Sequence, residues 1–119
     1  MQATLSLNRL ELRRYIERIG DRWRLEGAYL GGAAITGGTG EQALGEPAAE
    51  FTIVLVSDAF DEIPWLERVY VATSLWDALE MGAPVEAHCY TLAEFERKRD
   101  STTAVRDAVW HGLDLLVFI

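Results

Sequence analysis

Two glutamates and a histidine in the middle of the chain are the first side chains that could do chemistry. Glu86 and His88 are two residues apart in the apolar stretch Val85–Tyr90, so on a strand they point to one face. With Glu50, just before the apolar run Phe51–Val56, they would offer the oxygen and nitrogen ligands that suit Mn²⁺ or Zn²⁺. The simpler interpretation is that both glutamates are solvated at strand ends and the histidine bonds a neighbouring group. The sequence leaves both open.

A glycine-rich segment and a single cysteine are the other features with chemical potential. Gly31–Pro47 holds neither helical nor strand periodicity, which predicts a long loop. Its Gly-Gly-Thr-Gly run could cradle a phosphate, but the Lys-Ser/Thr of a P-loop is missing, so we favour a flexible surface loop. Cys89 is the only cysteine. It cannot form an internal disulfide or a cysteine-based zinc site, and we expect it in the core.

Length and composition limit the class of protein. A chain of 119 residues suits a single domain over residues 1–119. Half of it is hydrophobic and a quarter charged, which is typical of a globular protein. A net charge of −8 and a pI near 4.7 argue against strong nucleic-acid binding through phosphate neutralisation. No signal peptide and no apolar stretch of membrane-spanning length is seen, so we expect no membrane association and a cytoplasmic location.

The spacing of apolar residues predicts the elements that position these side chains. Residues three or four apart predict a first helix over about Asn8–Arg22, followed by a strand over Arg24–Leu30. The continuous aliphatic run Phe51–Val56 predicts a strand covered on both faces. Pro64 suits the first turn of a second helix, whose apolar face extends to Leu79.

The second half of the chain continues this alternation. Val85–Tyr90 predicts a strand, and Thr91 with Glu94 predicts a capping box that begins a short helix. Ser101 can cap a last helix, and Leu113–Ile119 predicts a terminal strand. This order predicts an α/β or α+β domain with a small mixed sheet flanked by helices.

The order of elements and several motifs resemble the minimal nucleotidyltransferases of the DNA polymerase β-like superfamily. The likeness runs from the Tyr-Leu-Gly-Gly turn at Tyr29–Gly32 to Gly112, and four segments match best: IVLVSDAF, WLERVYVATSLW, VEAHCYTLAEFERKR and AVRDAVWHGLDLL. They resemble the family's second strand, the helix after it, the third strand with its Tyr-Thr-x-x-Glu-Phe turn, and the closing helix. The resemblance implies a nucleotidyltransferase-like fold.

The same resemblance implies a site with altered ligands. In the family, a Gly-Ser turn holds the nucleotide phosphates, and aspartates on two strands bind Mg²⁺. The corresponding catalytic positions are Glu50, Thr52 and Glu86, of which the two glutamates would be the metal ligands. Gly31 and Gly32 take the phosphate-binding positions, with glycine in place of the serine. Thr52 carries no charge where a carboxylate is needed, so the resemblance implies a degenerate site.

Three functions are compatible with this sequence. The first is an active enzyme that uses Mg²⁺ and an NTP to transfer a nucleoside monophosphate to a hydroxyl. The second, which the lost Asp-x-Asp pair favours, is a nucleotide-binding or protein-interaction module; the resemblance implies a HEPN-type helical partner, in toxin–antitoxin style. The third is an unrelated small domain. Large apolar side chains also predict association, most simply as a homodimer, and they include Trp23, Trp65, Trp76, Trp110, Phe118 and Ile119.

Overall fold

The computed structural model describes residues 7–32 and 50–118, which form a four-stranded mixed sheet with helices on both faces. The strands are β1 (Gly27–Gly31), β2 (Phe51–Val56), β3 (Val85–Tyr90) and β4 (Leu113–Asp114). They lie in the order β3-β2-β1-β4. β1 is antiparallel to both β2 and β4, and β2 is parallel to β3. The predicted small mixed sheet flanked by helices is confirmed.

Helices cover this sheet in two layers. They are α1 (Arg9–Arg22), α2 (Trp65–Ser74), α3 (Ala78–Met81), α4 (Leu92–Lys98), α5 (Thr103–His111) and α6 (Leu115–Phe118), with a 3₁₀ turn at Asp58–Glu62. α1 and α2 share the larger core cluster with Ile53 and Leu55 of β2. α5 packs on the opposite face, where Val105 joins a second cluster with Val54 and Val56. β2 is therefore buried on both faces, as its aliphatic run predicts.

The prediction of one long second helix is wrong, because the chain forms two shorter helices in this region. α2 ends at Ser74, and Asp77 begins α3 by accepting a hydrogen bond from the Glu80 N–H at 3.0 Å. The break lets Trp76 enter the core, where its Nε1 donates to the Ala83 carbonyl at 2.9 Å. Leu79, expected on the apolar face, is instead 95% exposed.

The predicted terminal strand is also wrong beyond its first two residues. β4 stops at Asp114, whose side-chain oxygen accepts the Leu116 N–H at 3.2 Å and so turns the chain into α6. Leu115 fills the core, and Val117 is 81% exposed. Ile119 lies outside the described residues. Within those residues, no helix is long and apolar enough to cross a bilayer.

The other predicted boundaries differ by small shifts. α1 begins at Arg9, with Asn8 as its cap rather than its first residue. β1 covers Gly27–Gly31 rather than starting at Arg24, and the last helix is preceded by Thr102 instead of Ser101. The predicted loop lies largely at residues 33–49, outside the described residues.

Candidate functional site

Strand register brings three of the predicted site residues into one row. Gly31 of β1 lies opposite Thr52 of β2, and Thr52 lies beside Glu86 of β3. Residues paired in this way on adjacent strands share a face of the sheet. Gly32 continues the chain just beyond the row, and Glu50, which is exposed, immediately precedes β2. All five predicted positions therefore lie at the same end of the sheet.

The two glycines are explained by the packing of the backbone. A Cβ on Gly31 would lie 2.8 Å from the Ala108 Cα, because α5 packs directly on β1 there. Gly32 has φ +99°, and a Cβ on it would lie 2.6 Å from the Glu50 carbonyl oxygen. The space that a side chain would fill at Gly32 is thus occupied by the chain itself. Both positions require glycine whether or not a phosphate binds.

The donor set in this row does not fit a Mg²⁺-nucleotide site. Thr52 is only 6% exposed and supplies a neutral hydroxyl at the centre of the row. Glu86 is the charged group on the adjacent strand, with its side chain 56% exposed. Across residues 7–32 and 50–118, no three His, Cys, Asp or Glu side chains come together as a metal site. Mg²⁺-nucleotide sites depend on convergent carboxylates, and this row supplies only one.

The alternative cluster of Glu50, Glu86 and His88 is wrong as a three-ligand site, because only two of its members meet. His88 Nε2 lies 3.5 Å from a carboxylate oxygen of Glu86, and the imidazole stacks on Tyr90 with ring centroids 6.5 Å apart. That nitrogen is buried and has no hydrogen-bond partner in the described part of the chain. The contact with Glu86 is therefore a loose charge contact, available only when the imidazole is protonated.

Cys89 is confirmed as a core residue and is not a nucleophile. It is fully buried in β3. Burial raises the pKa of its thiol to about 12, and the nearby Arg68 only partly opposes this. A thiol of this kind stays protonated at neutral pH, so it cannot attack a substrate.

Arg68 is a buried charged residue that the sequence did not single out, and it lies at the Cys89 end of β3 rather than beside the row. It is 6% exposed, and its Nη1 donates both to Glu94 at 2.8 Å and to the Cys89 carbonyl at 3.2 Å. Glu94 and Thr91 form the predicted capping box, so Arg68 links α2 to the start of α4. The signal that could have revealed it is its isolation, since it is the only Lys or Arg between Ser57 and Glu96.

Comparison with known proteins yields one distant likeness. No protein-family profile and no curated protein matches the sequence. A crystal structure from Sulfolobus solfataricus, provisionally described as a nucleotidyltransferase, superposes with a TM-score of 0.48 at 16% sequence identity. The match covers 74% of this chain and 70% of that one. A likeness at this distance assigns neither a family nor an activity.

Proposed function

We propose that this protein has a nucleotidyltransferase-like fold with a degenerate metal site and works as a protein-interaction module. The observation that carries the proposal is the buried Thr52 at the centre of the row from Gly31 to Glu86. In the family that the sequence resembles, this strand position carries a metal-binding carboxylate. A neutral, buried hydroxyl removes charge from the place where Mg²⁺ and a triphosphate would need it most.

The partner that we propose is a cytoplasmic helical protein of the HEPN type, in an antitoxin-like pairing. The resemblance to minimal nucleotidyltransferases supports this partner. Exposed apolar side chains on several helices, such as Leu66, Tyr70 and Trp110, are compatible with a binding role. Co-purification of this chain with the helical product of a neighbouring gene would support the pairing. If the two proteins do not co-purify, this partner is wrong.

The alternative function is an active Mg²⁺-dependent transfer of a nucleoside monophosphate from an NTP to a hydroxyl. Glu50 and Glu86 keep two exposed carboxylates at the same end of the sheet, and this favours the alternative. A glutamate places its charge one methylene farther from the strand than an aspartate does. Mg²⁺ tolerates such displacement poorly, because it requires near-ideal octahedral geometry.

Calorimetric titration with Mg²⁺-ATP separates the two functions. We expect a Kd weaker than about 1 mM for the natural chain, equivalent to less than about 4 kcal/mol of binding free energy. Thr52→Val is the matched control, because it keeps the side-chain shape and removes only the hydroxyl, and it should behave like the natural chain. The double change Glu50→Asp and Thr52→Asp should strengthen binding if the phosphate-binding turn is still competent. Magnesium-dependent binding at micromolar Kd by the natural chain, lost in Thr52→Val, would favour the active enzyme instead.

A further inference from the structure

The net charge of the protein is confined to one segment of the chain. Between Ser57 and Glu96 there are nine acidic residues and one arginine, a net charge of −8. The remaining residues contain ten acidic and ten basic side chains, so their net charge is zero. Arg68, the one cation of the segment, is buried against Glu94 and cannot neutralise its surface. Five of the nine acidic residues lie in the 3₁₀ turn, α2 and α3, and all five are exposed, so these elements present an acidic surface.

α2 places two large apolar side chains on this acidic surface. Leu66 and Tyr70 are one helical turn apart, and they are 79% and 72% exposed. They lie away from Ala72, through which the helix packs on the core. Glu67 is exposed beside them, and Glu62 is exposed just before the helix. The acidic apolar face, defined as Glu62, Leu66, Glu67 and Tyr70, has no role in the chain's own core.

α1 lies next to α2 in the same layer and carries the opposite charge at its start. The Tyr15 hydroxyl donates to the Ala72 carbonyl at 2.9 Å, and this bond joins the two helices, which share one core cluster. In the first turns of α1, Leu10 is 55% exposed, and Arg13 and Arg14 are exposed next to it. These three residues form a basic apolar face. The two helices of this layer thus carry two exposed faces of complementary charge.

We propose that two copies of the chain pair through this layer, with the basic apolar face of each copy on the acidic apolar face of the other. A twofold axis produces both contacts at once, because each copy supplies both faces. Leu10 then covers Leu66 and Tyr70, while the two arginines meet the two glutamates. Buried apolar contact supplies affinity, and the charges set the orientation. This pairing requires no nucleotide. It covers Leu66 and Tyr70, so a helical partner of the dimer would bind elsewhere, for example at the exposed Trp110.

Sedimentation equilibrium of the full chain tests the pairing. We expect a dimer at micromolar concentration in about 50 mM NaCl and about tenfold weaker association in about 500 mM NaCl, where exposed charges are screened. The double change Leu66→Ser and Tyr70→Ser should abolish the dimer. Trp110→Ser is the control: this tryptophan is 63% exposed on α5, on the other side of the sheet, so its loss should leave association unchanged.

Charge exchange makes the test specific for the two faces. Arg13→Glu with Arg14→Glu in one chain, or Glu62→Lys with Glu67→Lys in another, should leave each chain monomeric by like-charge repulsion. Mixing the two variants restores opposite charges at both contacts and should restore a heterodimer to within about threefold of the natural affinity. Such recovery also shows that both variants are folded. A natural chain that stays monomeric at low salt, or a dimer that both charge reversals leave intact, would overturn the proposal.

Discussion

At the scale of single residues, the pair formed by Arg68 and Glu94 holds three elements together. The guanidinium of Arg68 reaches Glu94 at 2.8 Å, the Cys89 carbonyl at 3.2 Å and the Ile63 carbonyl at 2.8 Å. A buried guanidinium needs such partners, since its desolvation is costly when they are missing. Glu94 in turn accepts the Thr91 N–H at 2.9 Å. The end of β3 and the start of α4 are therefore fixed by one carboxylate.

This carboxylate should make stability depend on pH in the acid range. Partial burial disfavours the charged Glu94, but hydrogen bonds from Arg68 and Thr91 outweigh this and hold its pKa below the ordinary value. The stabilisation is complete above the unfolded-state pKa, near 4.3, and is lost as the pH falls through the lower folded-state pKa. Glu94→Gln should cost about 1 kcal/mol at neutral pH.

Urea unfolding at a series of pH values measures this effect. The natural chain should lose stability between about pH 5 and pH 3, and Glu94→Gln should lose less over the same interval. Glu96→Gln, at an exposed position on the same helix, should retain the natural slope. An unchanged slope in Glu94→Gln would show that other carboxylates account for the acid sensitivity.

At the scale of elements, substitution of alanine for glycine should stabilise the fold at one position and destabilise it at two others. Gly20 lies in α1 with nothing within 4 Å of its missing Cβ, so Gly20→Ala should stabilise the fold by about 1 kcal/mol. Gly31→Ala forces its methyl group to 2.8 Å from the Ala108 Cα and should destabilise the fold by about 1–3 kcal/mol. Gly32→Ala should also destabilise the fold. Its φ of +99° is strained for alanine, and the new Cβ would lie too close to the backbone of Glu50 and Thr52.

Thermal unfolding monitored by circular dichroism measures all three changes. For a domain of this size, a change of 1 kcal/mol moves Tm by about 4–8 °C, so the two directions are well separated. A Gly31→Ala chain as stable as the natural one would mean that α5 can move away from β1. That result would weaken the packing explanation for this glycine.

The elements also show what the sequence can predict. α1, β2, β3 and the capping box of Thr91 follow from local periodicity and side-chain chemistry, and each lies where it is predicted. The break after Ser74 could not be predicted in the same way, because it depends on the Trp76 indole reaching the Ala83 carbonyl. The helical spacing of apolar residues continues through this point. The chain nevertheless breaks the helix, because a tertiary hydrogen bond and a new cap at Asp77 favour two helices.

The candidate site, too, could be predicted from the sequence only in part. The resemblance selected Gly31, Thr52 and Glu86, and the strand register places these residues next to one another in the sheet. Their roles stay a prediction. The burial of Thr52 follows from the prediction that β2 is covered on both faces. The partner of Arg68 was not predictable, since Glu94 lies 26 residues away in the chain.

At the scale of the whole molecule, the segregation of charge sets how stability responds to salt. The exposed acidic residues of the 3₁₀ turn, α2 and α3 repel one another in the folded monomer, because Arg68 is buried against Glu94 and does not neutralise them. Exposed charges closer than about 10 Å interact strongly at low ionic strength and are screened when salt is added. The repulsion is spread over α2, α3 and the neighbouring turns. We therefore expect the monomer to be stabilised by salt, even though salt weakens the proposed dimer.

Thermal melts of the dilute protein test the expected effect of salt on the monomer. Raising NaCl from about 20 mM to about 500 mM should increase Tm by several degrees, because relief of about 1 kcal/mol of repulsion is enough at this chain length. Glu62→Gln with Glu67→Gln should raise Tm at low salt and reduce the increase. Glu17→Gln with Asp21→Asn removes two exposed acids from the electrically neutral part of the chain and should raise Tm less. Equal gains from both pairs would show that total charge, rather than its confinement to one surface, limits stability.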